Sequence, residues 1–136
     1  MAKQLHIEIV THCGIVFEGD ADGLIAPGVN GYFGMLPRHA PLIAELAIGD
    51  LRVRRGSEWQ HFAISGGILQ MRDGRALVMA DAAECADAID VARARAAVER
   101  ARERLARRQL PDIDTHRAEI ALQRALNRLR VAGDRL

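Results

Sequence analysis

The chain has 136 residues, nearly half of them apolar and 27% charged, with a formal charge of +1. That length suits one ordinary domain plus a short appendage, and the balance is that of a soluble globular protein. Near-neutral charge argues against a nucleic-acid binder, whose domains are strongly basic. No apolar run reaches the ~20 residues that span a bilayer, so direct membrane insertion is not expected.

The average conceals a division. Residues 1–85 carry seven basic and ten acidic side chains, whereas residues 86–136 carry twelve basic ones, all arginine, and eight acidic. The aromatics Phe17, Tyr32, Phe33, Trp59 and Phe62 all precede residue 63. Two architectures therefore share the chain, with expected domains of 1–86 and 87–136.

In "LHIEIV" Leu5, Ile7 and Ile9 fall on one face and His6 and Glu8 on the other, the period of a half-buried strand. Similar short runs follow: "GIVFEG", "GLIAPG", "LIAELAIG", "LRVRRG", "HFAISGG", "ILQMRDG" and "ALVMAD". Glycine or Asp-Gly punctuates nearly every boundary, and "RDGRALV" predicts a tight hairpin. The fold class expected is β + α: an N-terminal all-β sandwich of short antiparallel strands, then a C-terminal antiparallel two-helix hairpin.

Within the β region, "PGVNGYFGMLPRHAPL" has no phosphate-loop or dinucleotide fingerprint. It reads either as a turn-rich connection or as a docking surface, with Tyr32 and Phe33 held outward by a stiff Gly/Pro frame. His39 has no acid or nucleophile at a readable spacing and is a poor catalytic candidate. His6, His12, His61 and His116 are dispersed, with no metal-ligand spacing. "SGG" at 65–67 does not satisfy a nucleophile elbow. Cys13 and Cys85 are expected to be reduced thiols. No catalytic constellation, metal site or required cofactor is expected.

Helical periodicity begins near residue 89. Val91, Ala94, Val98, Ala101 and Leu105 form one stripe, and Ala118, Leu122, Ala125, Leu129 and Ala132 a second. Pro111 separates them, Asp112 or Asp114 is placed to cap the second helix, and Gly133 to end it. The two stripes hold few large apolar residues, which predicts a hairpin of marginal independent stability. Arg93, Arg100, Arg104 and Arg107 share one face of the first helix; Arg117, Arg124 and Arg128 share one of the second. They suit a solvated face with Glu99 and Glu103 as i,i+4 partners, or a small polyphosphate gripped by guanidinium forks.

Three segments are familiar: "VTHCGIVFEGDADGLIAPGVNGYFGMLPRHAPL", "ISGGILQMRDGRALVMADAAE" and "DIDTHRAEIALQRALNRLRVA". Through them the chain resembles, over nearly its whole length, the epsilon subunits of bacterial F-type (rotary) ATP synthases. The resemblance implies a non-catalytic rotor subunit of a proton-translocating synthase, peripheral on the cytoplasmic side of the bacterial inner membrane. It implies docking of the sandwich on the gamma subunit and on the polar loops of the c-ring, with Tyr32, Phe33 and His39 as docking residues. It also implies a mobile hairpin that extends to meet the catalytic alpha and beta subunits and restrains ATP hydrolysis. Some members bind ATP as a regulatory ligand through I/L-D-x-x-R-A, matched here by Ile89, Asp90, Arg93 and Ala94; Glu84, Arg100, Arg124 and Arg128 match the rest of that site. Many members read G-E-L-G where this chain has Gly31-Tyr32-Phe33-Gly34, which removes a carboxylate from the docking turn. The competing reading is a free-standing, nucleotide-responsive sensor outside any synthase.

Overall fold

Period-two burial dictates the first half of the molecule. The computed structural model describes residues 4–111 and 113–133. In β1 (Leu5–Thr11) Leu5, Ile7 and Ile9 are fully buried. β2 (Gly14–Ala21), β3 (Gly23–Gly28), β4 (Gly31–Met35), β5 (Leu42–Arg55), β6 (Glu58–Arg72), β7 (Arg75–Ala80) and β8 (Ala83–Cys85) follow. Their hydrogen-bonded order is β2-β1-β7-β6-β5-β3-β4, with β8 on β6. All the pairings are antiparallel except β1 with β7, which is parallel. The predicted hairpin is present: Arg72 pairs with Arg75 across Asp73 and Gly74, whose φ values of 50° and 74° fit a type I′ turn.

Two features depart from the short-strand expectation. "LIAELAIG" and "LRVRRG" are one strand, β5, and "HFAISGG" and "ILQMRDG" are one strand, β6. The glycines between the runs are corners, not ends. On β5 the buried side switches from Leu46 to Leu51 and Val53; on β6 it switches from Phe62 and Ile64 to Leu69 and Met71. The switch falls between Leu46 and Gly49 on β5 and across Gly66–Gly67 on β6, where the β5–β6 ladder skips from Leu46↔Gly67 to Ile48↔Ser65. A bend of this kind lets a strand leave one layer and enter the next. The first half of β5 and the second half of β6 lie with β7, β1 and β2. The second half of β5 and the first half of β6 lie with β3, β4 and β8. Gly67 has φ 134°, and a Cβ there would sit 2.2 Å from the Met79 carbonyl oxygen. Only glycine fits that corner.

The core lies between the layers and is large-chained, with Phe62, Leu5, Ile7, Ile9, Leu24, Leu51, Leu69 and Met71 essentially sealed from solvent. Phe17 closes one side edge-to-face on Phe62, at 5.4 Å between centroids, with the Arg55 guanidinium 4.9 Å from its ring.

The second compact unit starts at Ala86. After a 3₁₀ turn (Ala86–Ala88), α1 spans Val91–Ala106 and α2 spans Thr115–Val131. Asp90 caps α1 by accepting the Arg93 N–H at 3.1 Å, and Asp114 caps α2 by accepting the Arg117 N–H at 3.0 Å. Asp112, the alternative cap, lies outside the described residues. Gly133, at φ 82°, follows the C-cap residue Ala132. Ala94 and Val98 of α1 pack on Ala125 and Leu129 of α2, flanked by Val91, Ala97, Leu122 and Leu126. The start of one helix thus meets the end of the other, and the pair is antiparallel.

Candidate functional site

Three surfaces carry the predicted site residues. The first is the β3–β4 turn. Gly28 pairs with Gly31 across Val29-Asn30, and the Val29 N–H is tethered to the Glu45 carbonyl at 3.1 Å. Tyr32, Phe33 and His39 line one groove of about 610 Å³ with Leu42, Ile43 and Glu45. The outward display expected of both aromatics holds for Tyr32 alone, because "GYFGM" is a strand and successive side chains leave on opposite faces. Phe33 is half-buried against the sandwich core. Tyr32 keeps 54% of its surface exposed, yet its ring is clamped. Its hydroxyl accepts the Asp50 N–H at 2.9 Å, and the Arg52 guanidinium lies 5.7 Å from its centroid. Gly49 makes room, since a Cβ there would stand 2.7 Å from the tyrosine oxygen. Asp50 in turn binds Arg52 Nε at 3.1 Å and His61 Nδ1 at 2.9 Å. His39 Nδ1 donates to the Ala40 carbonyl at 2.7 Å.

The second surface was not foreseen. On the outer face of the β1-β7-β6-β5 layer, Val10 pairs with Met79, Met79 with Ile68, and Ile43 with Gln70. Ile43, Ile68 and Met79 expose 72%, 45% and 40% of their surfaces. Ile68 and Met79 are register partners and form an exposed apolar pair, of the kind that marks a contact surface; on β5 Ile68 faces Glu45, and Ile43 lies diagonal to it. A sharper reading of alternation would have found it, because Ile68 and Met79 fall between the core positions Leu69, Val78 and Ala80. Four residues along β1 from Val10, His6 lies between two acids, Nδ1 at 2.9 Å from Asp20 and Nε2 at 3.2 Å from Glu18. The Asp20 bond first and the Glu18 bond second hold its pKa above the ordinary histidine value. Asp22, accepting the Gly56 N–H at 2.6 Å, is held below the ordinary carboxylate value mainly by that bond.

The third surface is the hairpin. Asp90 and Arg93 stand at the start of α1, level with Arg128 near the end of α2. A helix advances 100° per residue, so Arg93, Arg100 and Arg104 stay to one side of the α1 stripe, and Arg117, Arg124 and Arg128 to one side of the α2 stripe. In an antiparallel pair those sides coincide, and the six arginines occupy one flank. Ile89 and Ala94 are buried at 8% and 0% exposure, so their part in the motif is packing. Glu84 belongs to β8, in the sandwich unit. Arg107 lies past the last helical turn as the C-cap and pairs with Glu103 at 3.0 Å. Glu99 pairs with Arg102, three residues on, at 3.7 Å.

The hairpin also contains a repeat that periodicity alone does not reveal. At a constant offset of 24 residues, Ile89, Asp90, Arg93, Ala94, Arg100, Ala101, Arg104 and Leu105 coincide with Ile113, Asp114, Arg117, Ala118, Arg124, Ala125, Arg128 and Leu129. The I-D-x-x-R-A motif occurs twice, once at each helix start.

Comparison with known proteins accounts for this division. The β-sandwich domain of the ATP synthase delta/epsilon chain matches residues 4–86, and its long α-helix domain matches residues 87–133. The chain is similar to the ATP synthase epsilon chain of Desulforamulus reducens, 47% identical over 97% of this chain and 99% of that one. It is 46% identical to that of Halalkalibacterium halodurans, over 95% and 97%. Among solved structures, a chain of the Euglena gracilis mitochondrial ATP synthase (OSCP/F1/c-ring, rotational state 1) superposes with a TM-score of 0.74 at 25% identity, covering 88% of this chain and 76% of that one. A chain from the Tetrahymena thermophila central stalk and c-ring shares the fold, with a TM-score of 0.57 at 15% identity, over 97% and 96%. The chain belongs to the ATP synthase epsilon-chain family, whose members are non-catalytic subunits of that complex.

Proposed function

We propose that this epsilon-family chain is a rotor subunit of the central stalk of a proton-translocating bacterial ATP synthase. It couples rotation of the membrane ring to the catalytic head and is held at the cytoplasmic face of the inner membrane by its partners. No helix of the described residues is long and apolar enough to cross a membrane itself. The observation that carries the reading is the exposed apolar pair Ile68 and Met79, on a layer whose inner face is already fully packed. That pair marks the surface for gamma. The groove of Tyr32, Phe33 and His39 takes the polar loops of the c-ring. Tyr32 presents a rigid ring there, with a hydroxyl proton still available to donate.

The hairpin is the regulatory part. Asp90, Arg93, Arg100, Arg124 and Arg128 supply a carboxylate and four guanidiniums for ATP. ATP bound to the folded hairpin stabilises it by RT ln(1 + [L]/Kd) and so opposes the extended form. Extended, the arginine flank meets the alpha and beta subunits and restrains hydrolysis.

Reconstitution with the remaining subunits tests the docking reading. Ile68→Lys is expected to weaken incorporation into the complex at least tenfold while the isolated chain keeps its fold. Tyr32→Ala is expected to reduce ring coupling without affecting the fold. Normal assembly and coupling in both variants would end that reading. Titration with ATP tests the other arm: saturable millimolar binding, lost in Arg124→Ala and Arg128→Ala, is expected.

A further inference from the structure

The second copy of the repeat has a surface of its own. At the closed end of the hairpin, Arg104 of α1 and Arg117 of α2 line one cleft of about 260 Å³ with Ile113, Asp114 and Ala118. Both arginines are exposed, and among the described residues neither guanidinium has a hydrogen-bonded or ion-pair partner. Among the described lining residues Asp114 is the one carboxylate, and it is committed to the helix, because its Oδ1 accepts the Arg117 N–H. Among the described lining residues, two positive charges therefore accompany one negative charge whose lone pairs are partly used.

The repeat explains why the cleft exists. An antiparallel pair with equivalent sequences has an approximate two-fold axis between its helices. That axis carries Asp90, Arg93 and Arg128 onto Asp114, Arg117 and Arg104. Because the axis is perpendicular to the plane of the helices, both sets stay on the same flank, with Arg100 and Arg124 between them. Whatever chemistry the first set offers, the second offers in mirrored order along the chain. Its cleft falls below the roughly 300 Å³ at which pockets begin to enclose drug-sized ligands. A chain of phosphates fits; the base of a nucleotide stays outside.

We propose that the closed end of the hairpin is a second anion site, in which Arg104 and Arg117 grip a polyphosphate. Guanidinium forks on facing helices supply the bidentate donors that phosphate oxygens accept. Occupation ties the end of α1 to the start of α2 and holds the hairpin closed from the end opposite Asp90. The site stands apart from the ATP reading above.

The test is isothermal titration of the full-length chain with inorganic tripolyphosphate. In R93Q/R128Q, which disables the first copy, saturable millimolar binding is expected to persist. Adding R104Q/R117Q is expected to weaken it at least tenfold, with the helical circular dichroism unchanged from that of R93Q/R128Q because Arg104 and Arg117 are both exposed. R102Q/R130Q, off the flank, is expected to change affinity less than twofold. Loss of binding in R93Q/R128Q alone overturns the proposal. So does an equal loss from R102Q/R130Q, the mark of general charge attraction. ATP titration of R104Q/R117Q reports the first copy by itself, so failure of either reading leaves the other measurable.

Discussion

The sandwich and the hairpin bury different materials. In the sandwich the sealed side chains are Phe62, Leu5, Ile7, Ile9, Leu24, Leu51 and Met71; in the hairpin they are Ala94, Val98, Ala101, Ala118, Ala125 and Leu129. Alanine lets two helices approach closely but removes little apolar area from water, and stabilisation scales with that area. Isolated helices of this length are marginal, so packing has to supply the rest. The sandwich is thus over-determined, whereas small contributions at caps and charged flanks can shift the balance of the hairpin. Regulation is cheapest to build in the second kind of structure.

Perturbing each unit separately sharpens that contrast, because Trp59, the only tryptophan, reports the sandwich and helical dichroism reports the hairpin. Gly67→Val carries the largest expected effect. Its Cβ would sit 2.2 Å from the Met79 oxygen and 2.7 Å from the Ala80 Cα. A loss on the order of 3–5 kcal/mol is expected in denaturant titrations followed by Trp59 fluorescence. Equal loss in both signals would break the division into two units.

Leu129→Ala comes next. Leu129 is fully buried in the hairpin, so about 2–4 kcal/mol should disappear from the helical transition while the Trp59 midpoint stays put. Asp90→Ala removes a cap and should cost about 1 kcal/mol, seen as faster hydrogen exchange in the first turn of α1. Asp90→Ser, which also caps, should restore protection.

The smallest effect is a pH dependence confined to the sandwich. With both nitrogens of His6 facing carboxylates, the protonated ring is favoured in the folded state. Its stabilisation is complete below the unfolded histidine pKa and fades as pH rises through the raised folded value. Asp22 works the other way: its contribution is present above the unfolded carboxylate pKa and lost as pH falls through the lowered one. His6→Gln should flatten the neutral-to-alkaline slope of Trp59-detected stability and leave the acid limb alone.

Much of this was legible in the chain. Alternation identified β1, the Asp-Gly turn announced the β6–β7 hairpin, and the two 3.6-residue stripes, with Asp114 and Gly133, bounded α2. What periodicity could not supply was the meaning of glycine inside a strand. Gly49, Gly66 and Gly67 look like stops in a one-dimensional reading, and only the change of buried face across them shows that the strands continue. β4 was hidden for a related reason: glycines on both sides of Tyr32-Phe33 mask a strand held by pairing to β3. Among the candidate site residues, the arginine flank was visible from spacing. The burial of Ala94 and the half-burial of Phe33 depended on partners far along the sequence.

The corner glycines have a mechanical consequence. Two separate sheets pressed together can slide past each other when a load is applied to one of them. Here β5 and β6 run through both layers, so sliding would have to stretch two covalent backbones and unzip the ladder between them. A load applied to the edge carrying Tyr32 is therefore carried to the outer face of the other layer through continuous backbone, as in a shaft cut from one piece of stock.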